Sequence, residues 1–452
     1  MYALGIDTGT TSISLALVDI EDGALIDRAT VNHAAFIDDG CPVGRVQDAD
    51  RIADIAMEQC AIMIGRHGRP RCIGLTGQMH GMLYVDGAGR AVSPLYTWQD
   101  GRGNLPMADG RSYAEALRAR GEGAAAAGFG LTTHYYMREN GLVPAGAAAM
   151  TPMSDYIALR LTGGVRPVIG ADMAASWGMY DLERRAFNSD DPLLPETRPG
   201  CEVIGETPDG VPVTLSVGDN QASFIGAVRD MDDTLLINIG TGSQVSMAVP
   251  DYIAVSGDVE LRPCGAEGYL LAGSGLCGGR AVALLETFYR EAAGTDAPRY
   301  DHMLRQAEAF IGQYGADAAW RVNTAFSGTR SNPDARGSIG GIGIDNFHPG
   351  ALTAGVVMGV LEELRAGYQT MVSLTGRRPS RLAGAGNGLR RNPLMRRFAR
   401  DLFGMVPEIP AHMEEAAYGA ALCAMAASGE KPSLRAAQGL IRYMNNDMAM
   451  KL

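Results

Sequence analysis

The chain opens on an apolar run, Tyr2-Ala-Leu-Gly-Ile-Asp7, then a Gly/Thr turn, then a second apolar run, Ile13-Ser-Leu-Ala-Leu-Val18, that closes at Glu21-Asp-Gly23. Two β-prone runs joined by a short glycine turn predict a hairpin, not a strand feeding a helix. The pattern returns at residues 234–249. Shifted by 231 positions, Leu4, Ile6, Gly9, Thr10, Ser12 and Val18 fall on Leu235, Ile237, Gly240, Thr241, Ser243 and Val249. One motif in each half predicts two similar domains facing each other. The charged string Arg229-Asp-Met-Asp-Asp233 marks the boundary, giving domains 1–228 and 229–452. Between the hairpins, strands such as Cys72-Ile-Gly-Leu75 alternate with helical patterns at 49–64 and 355–374, so the fold class is α/β. The simple tract 121–130 reads as a connector or helix end, and 411–427 as a helix of small residues. Gly419 inside that helix costs roughly 1 kcal/mol of propensity relative to alanine, which predicts a close packing partner.

With 46% hydrophobic and 20% charged residues, the 452-residue chain has the composition of an ordinary globular protein of two to three domains. Glycine stands apart: 59 residues predict many tight turns and close backbone approaches to a ligand. Lysine is confined to Lys431 and Lys451, so no Walker A lysine exists and Schiff-base chemistry would fall on two tail residues. Thirty-nine basic against 51 acidic residues leave a net charge of −12, the wrong sign for coating nucleic acid or an anionic membrane. The seven cysteines are scattered, odd in number and without a C-x-x-C string, which predicts thiols in a reducing compartment and no zinc site. The longest apolar stretch, 416–428, is too short to span a bilayer, and no basic segment precedes Asp7, so a cytoplasmic location is expected.

In Asp7-Thr-Gly-Thr-Thr-Ser12 the glycine permits a tight turn whose backbone N–H groups converge on phosphate oxygens, with hydroxyls as further donors. Asp7 is placed to hold hydrated magnesium. One copy alone reads first as a plain Gly/Thr hairpin; two copies, one per domain, favour a clamp on a polyphosphate. Two later glycine strings compete. Gly273-Ser-Gly-Leu-Cys-Gly278 fits G-x-G-x-x-G, but no second parallel strand follows, which argues against a dinucleotide site. Leu382-Ala-Gly-Ala-Gly-Asn-Gly388 follows a strand and precedes the basic helix 392–403, a setting for purine and ribose contacts. Thr76-Gly-Gln-Met-His-Gly81 sets an amide and an imidazole after a buried strand, and Thr97-Trp-Gln-Asp-Gly-Arg102 offers an aromatic face, a carboxylate and a guanidinium. Either string serves a sugar pocket or a hydrogen-bonded loop. Val217-Gly-Asp-Asn-Gln-Ala222 puts Asp219 at the polar tip of a strand, where a general base sits in an α/β protein and where a turn aspartate is also common.

In this order, and over nearly the whole chain, these strings resemble the FGGY carbohydrate kinases. Ser154-Asp-Tyr156, Leu161-Thr-Gly163, Gly218-Asp-Asn-Gln221, Ile239-Gly-Thr-Gly242 and Glu415-Ala-Ala-Tyr-Gly-Ala-Ala421 complete the set. The resemblance implies two ribonuclease H-like domains, as in actin-like ATPases, with an interdomain cleft, ATP mainly on the C-terminal half and sugar mainly on the N-terminal half. It makes Asp219 the catalytic base, Asp7 the Mg2+ and γ-phosphate residue, and Thr10, Thr11, Gly240 and Thr241 the phosphate clamp. Gly384, Gly386 and Asn387 become the adenosine site, and Gln78, His80, Trp98, Asp100 and Arg102 the candidate sugar contacts. The implied partners are ATP and a ketose, sedoheptulose first and xylulose or ribulose next, with no nucleic acid, no membrane and homodimerisation left open. Two departures bear on the substrate: the second clamp reads Gly-Thr-Gly-Ser, and the Arg-Ala-x-x-Glu-Gly helix expected after His348 reads Thr353-Ala-Gly-Val-Val-Met-Gly-Val. A regulatory or chaperone-like actin-fold ATPase is the alternative from another class. It would keep both hairpins and have no need of the sugar strings.

Overall fold

The computed structural model of the chain describes residues 1–445 apart from 122, 256, 267, 330, 331 and 333, so Lys451 and one position of the 121–130 tract lie outside the described residues. The N-terminal lobe is built from β1 (Tyr2–Thr8), β2 (Ser12–Asp19), β3 (Leu25–Asn32), α1 (Ala49–His67), β4 (Cys72–Gly77), α2 (Met153–Thr162), α3 (Ala171–Ser176), β5 (Val203–Glu206), β6 (Pro212–Gly218) and α4 (Asp219–Ala227). The C-terminal lobe follows with β7 (Thr234–Ile239), β8 (Ser243–Val249), β9 (Val259–Pro263), β10 (Tyr269–Gly275), α5 (Gly279–Ala292), α6 (Tyr300–Tyr314), α7 (Pro349–Thr375), β11 (Arg381–Ala385), α8 (Gly386–Arg391), α9 (Pro393–Phe403), β12 (Pro407–Glu408) and α10 (Glu415–Ala427).

Each lobe holds a six-stranded sheet, ordered β5-β6-β4-β1-β2-β3 and β9-β10-β8-β7-β11-β12. In both, a central strand pairs antiparallel with its hairpin partner and parallel with the strand that follows a long helix: β1 with β2 and β4, β7 with β8 and β11. The repeat predicted from the paired motifs is thus a repeat of topology. Its registers differ by one residue. Thr8 pairs with Ile13, leaving 9–12 as the first loop, whereas Ile239 pairs with Ser243, leaving the tighter 240–242. The extra glycine of the second motif, Gly242, stands in that shorter turn.

Helix α10 crosses between the lobes. A Cβ on Gly5 of β1 would lie 1.7 Å from the Ala417 carbonyl oxygen, and one on Gly74 of β4 would lie 1.9 Å from that of Ala420, so both strands must be glycine for the helix to seat. On its other side α10 meets α4, where Cβ atoms on Gly226 and Gly419 would lie 2.0 Å from the carbonyl oxygens of Glu415 and Ala222. The two helices share one apolar cluster with Ala3 and Val18 of the first sheet and with Leu236, Leu270 and Ala383 of the second. These four glycines serve helix–sheet and helix–helix contact, while 23 others among the described residues take a positive φ, in keeping with the tight turns that the glycine content predicts. His412 closes the crossing: its Nε2 lies 2.7 Å from the Gly226 carbonyl and its ring stacks on Tyr418 at 3.6 Å, while burial pulls its pKa down to about 4. Gly419→Ala should destabilise the protein by about 1–3 kcal/mol, the usual cost of overpacking. It gains helix propensity, so an unchanged or raised melting temperature in scanning fluorimetry would show that α4 and α10 yield freely. Among the described residues no helix is long and apolar enough to cross a membrane.

Candidate active site

The first hairpin is held from behind. Gln47 donates from Nε2 to the Thr10 carbonyl (2.7 Å), Trp98 donates from Nε1 to the Thr10 hydroxyl (2.9 Å), and a ring nitrogen of buried His33 lies 3.2 Å from the Gly9 carbonyl. Gln78 donates to Gln47 in turn (3.0 Å), so the amide predicted to face sugar supports the loop through a relay, and its own buried Oε1 has no partner. Thr11 is exposed at the tip. Asp7, two residues before Gly9, has a buried Oδ1 that also has no partner. Its pKa is raised to about 7, by burial first and then by the negative charges of Asp219 and Glu414.

Asp219 is the first residue of α4, directly after the strand end at Gly218. Two buried aspartates that sequence reasoning left without a role fix this strand end. Asp155 accepts from the Ser216 amide (3.1 Å) and hydroxyl (2.5 Å), and Asp172 accepts from the Gly218 amide (2.8 Å). Burial raises Asp155 to about 7 and Asp172 to about 6. Asp219 is also raised by burial, held back by the charge of Arg262 and by the Asn220 N–H. Asp7 and Asp219 thus share one field, although one stands on strand β1 and the other at the start of helix α4.

A cavity of about 670 Å³ opens between the lobes, walled by Met79, His80, Phe129, Asp172 and Ser176 on one side and by Tyr252, Glu260 and Arg262 on the other; the Met79 sulfur receives the side-chain amide of Asn220, the residue after Asp219, at 3.9 Å. His80 takes a left-handed backbone (φ 72°), which aims its amide at the Ser176 hydroxyl (3.0 Å) and its Nδ1 at the Ser176 carbonyl (2.6 Å). The ring stacks on Phe129 at 4.5 Å. Asp100 and Arg102, like Trp98, do not line this cavity. The Asp100 carboxylate is wholly buried and accepts from the Arg45 and Arg102 amides at 3.0 Å, while Arg102 pairs with Asp39 and Asp100 beneath the Tyr96 ring. These contacts shape the loop that carries Trp98 and leave the buried Arg102 Nη1 without a hydrogen-bond partner.

In the second lobe the Gly240 and Thr241 carbonyls accept from the Gly279 and Arg280 amides at 2.8 and 3.0 Å. The G-x-G-x-x-G string set aside as a dinucleotide site therefore ends in the platform under the second hairpin. Gly386, with φ 81°, starts α8 against β7: a Cβ there would lie 2.4 Å from the Ile239 carbonyl oxygen, which brings exposed Asn387 beside the same hairpin. Gly384 is buried in β11, where a Cβ would meet Ile409 at 2.8 Å. Glu414, Asp172, Ser176, Phe129 and Arg262 went unread in the sequence. Only Glu414, inside the stretch 411–427 read as a helix of small residues and just before the helix that forms at Glu415, carried any local signal.

Two lobes of one topology, crossed helices between them, a glycine hairpin in each and a carboxylate pair at the cleft define an actin-like ATPase fold adapted to phosphoryl transfer. The model of the N-terminal domain of the FGGY family of carbohydrate kinases matches residues 2–226, and that of its C-terminal domain matches residues 235–428. The chain belongs to this family and is a carbohydrate kinase. It is 27% identical to a sedoheptulokinase of Mus musculus over 469 residues, covering 93% of this chain and 96% of that protein. In three dimensions it is similar to a ligand-bound xylulose kinase from Lactobacillus acidophilus (TM-score 0.82, 18% identity, 100% and 95% covered) and to Plasmodium falciparum glycerol kinase with ADP (TM-score 0.81, 19% identity, 100% and 95% covered).

Proposed function

We propose that the protein transfers the γ-phosphoryl group of ATP to a primary hydroxyl of a ketose, with sedoheptulose preferred. The observation that carries this reading is an interdomain cavity of about 670 Å³ whose lining residues Arg262 and Met79 lead to Asp219: Arg262 acts on its carboxylate by charge, Asn220 beside it reaches the Met79 sulfur at 3.9 Å, and Asp219 acts in turn on Asp7. The space suits a chain of several hydroxylated carbons, and the sedoheptulokinase of mouse aligns with 93% of this chain. A regulatory ATPase would have no use for such a cavity. In the proposed arrangement residues 1–228 supply most of the sugar site and residues 229–452 most of the ATP site.

Asp219 accepts the proton of the attacking hydroxyl, and its buried setting keeps water from competing for that proton. The tips of both hairpins, Thr10 and Thr11 with Gly240 and Thr241, hold the phosphates through backbone and hydroxyl donors, which explains a kinase without a phosphate-binding lysine. Gly386 and Asn387 take the adenosine. His80 and Trp98 flank the sugar path, while Gln78, Asp100 and Arg102 position the loops. Mg2+ fits at Asp7, whose unpartnered buried oxygen lies in a field made negative by two further carboxylates. When bound it neutralises phosphate charge during transfer. The setting is proposed to be cytoplasmic, in keeping with seven free cysteines.

Steady-state ADP release with sedoheptulose, xylulose, ribulose and glycerol tests the reading. The highest kcat/KM is expected with sedoheptulose and phosphate at its terminal hydroxyl, read by phosphorus-coupled NMR. A preference for xylulose would move the assignment to a pentulose kinase, and no stimulation by any sugar would overturn it.

A further inference from the structure

Arg262 stands on β9, an edge strand of the C-terminal sheet, yet is only 7% exposed because the N-terminal lobe covers it. Its Nε and Nη2 both donate to Glu260 Oε2, at 3.1 and 2.6 Å. Residues two apart on a strand share a face, so this pair is intrinsic to β9. The remaining amino group, Nη1, reaches across the cleft and meets the Met79 sulfur at 4.0 Å. That sulfur also receives the Asn220 amide at 3.9 Å, one residue from Asp219. A thioether is a weak acceptor. A buried cationic N–H in that position is under-satisfied, and an oxygen offered in its place makes a charge-assisted bond.

Charge narrows the choice of oxygen. Glu260 neutralises the guanidinium, Asp172 stands on the facing wall, and Asp219 lies within the field of Arg262, so the spot is poor for an anion and suited to a neutral hydroxyl. We infer that Arg262 is a specificity-determining residue whose Nη1 donates to the acceptor sugar hydroxyl neighbouring the one that is phosphorylated, so the sugar site is complete only with a group from the ATP-side lobe. This rests on the kinase reading above. It also gives the lobes a reason to close on sugar, since Arg262 is the donor that β9 carries to the N-terminal wall.

The test crosses enzyme variants with substrate variants. Arg262→Met keeps much of the length and removes the donors; Arg262→Lys keeps a cation. With the best ketose, Arg262→Met should raise KM for sugar about 10- to 100-fold, the range of one charge-assisted hydrogen bond, and leave KM for ATP within about twofold. Arg262→Lys should recover part of the loss. One monodeoxy ketose should already show that loss with the wild type and lose no more with Arg262→Met. Equal further losses for every monodeoxy sugar, or a rise confined to KM for ATP, would overturn the inference. Should Arg262→Met fail to melt cooperatively, the same deoxy series on Arg262→Lys decides. Wild type without sugar-stimulated ADP release overturns the kinase reading itself; an active wild type with an indifferent Arg262→Met overturns only this inference.

Discussion

Asp219→Asn is expected to lower kcat by about 10²–10⁴-fold, the span associated with general-base catalysis, while ATP binding and melting temperature stay close to wild type. Asparagine keeps the shape and the Oδ1 that accepts from the Asn220 amide at 2.7 Å, so the helix start survives while proton acceptance is lost. The wild-type pH profile carries the same signature. Burial raises Asp219 above 3.8, so kcat/KM should climb with pH along an acid limb displaced upward from an ordinary aspartate, and the variant should lack that limb. A variant turning over within a few-fold of wild type would remove Asp219 from the chemistry and leave it as a turn residue.

Asp7→Ala is expected to cost about 10²–10³-fold in turnover, comparable to losing one preorganised electrostatic contact, and to raise the magnesium needed for half-maximal rate. Its pH dependence is the sharper readout. With a pKa raised to about 7, Asp7 is protonated below neutrality and charged above it, so protons compete with metal. In the wild type the half-saturating magnesium concentration should rise as pH falls through about 7, and in Asp7→Ala this dependence should flatten. Superimposable magnesium titrations of the two proteins at pH 6 and pH 8, values chosen about one unit either side of that pKa, would show that Asp7 does not hold the metal.

Local pattern determined the outline of this protein. The repeated run of apolar residues around a Gly/Thr turn specifies a hairpin because side-chain period and turn chemistry act over a few residues, and both hairpins form where the pattern put them. The strand end before Asp219 was legible for the same reason, though not the helix that starts there, as was the close packing implied by Gly419 in a helix of small residues. Tertiary structure alone decided which polar groups face the cleft. Asp100 and Arg102 look like ligand contacts in one dimension, and only the fold shows that the Asp100 carboxylate also takes two backbone amides and pairs with Arg102. Gly5, Gly74 and Gly226 gave no local reason for being glycine until α10 was laid across them. Arg262 could not be read at all, since it stands 183 residues from the Met79 sulfur it meets. Such meetings depend on how two lobes dock, and docking is set by summed burial over hundreds of residues, which no short motif records.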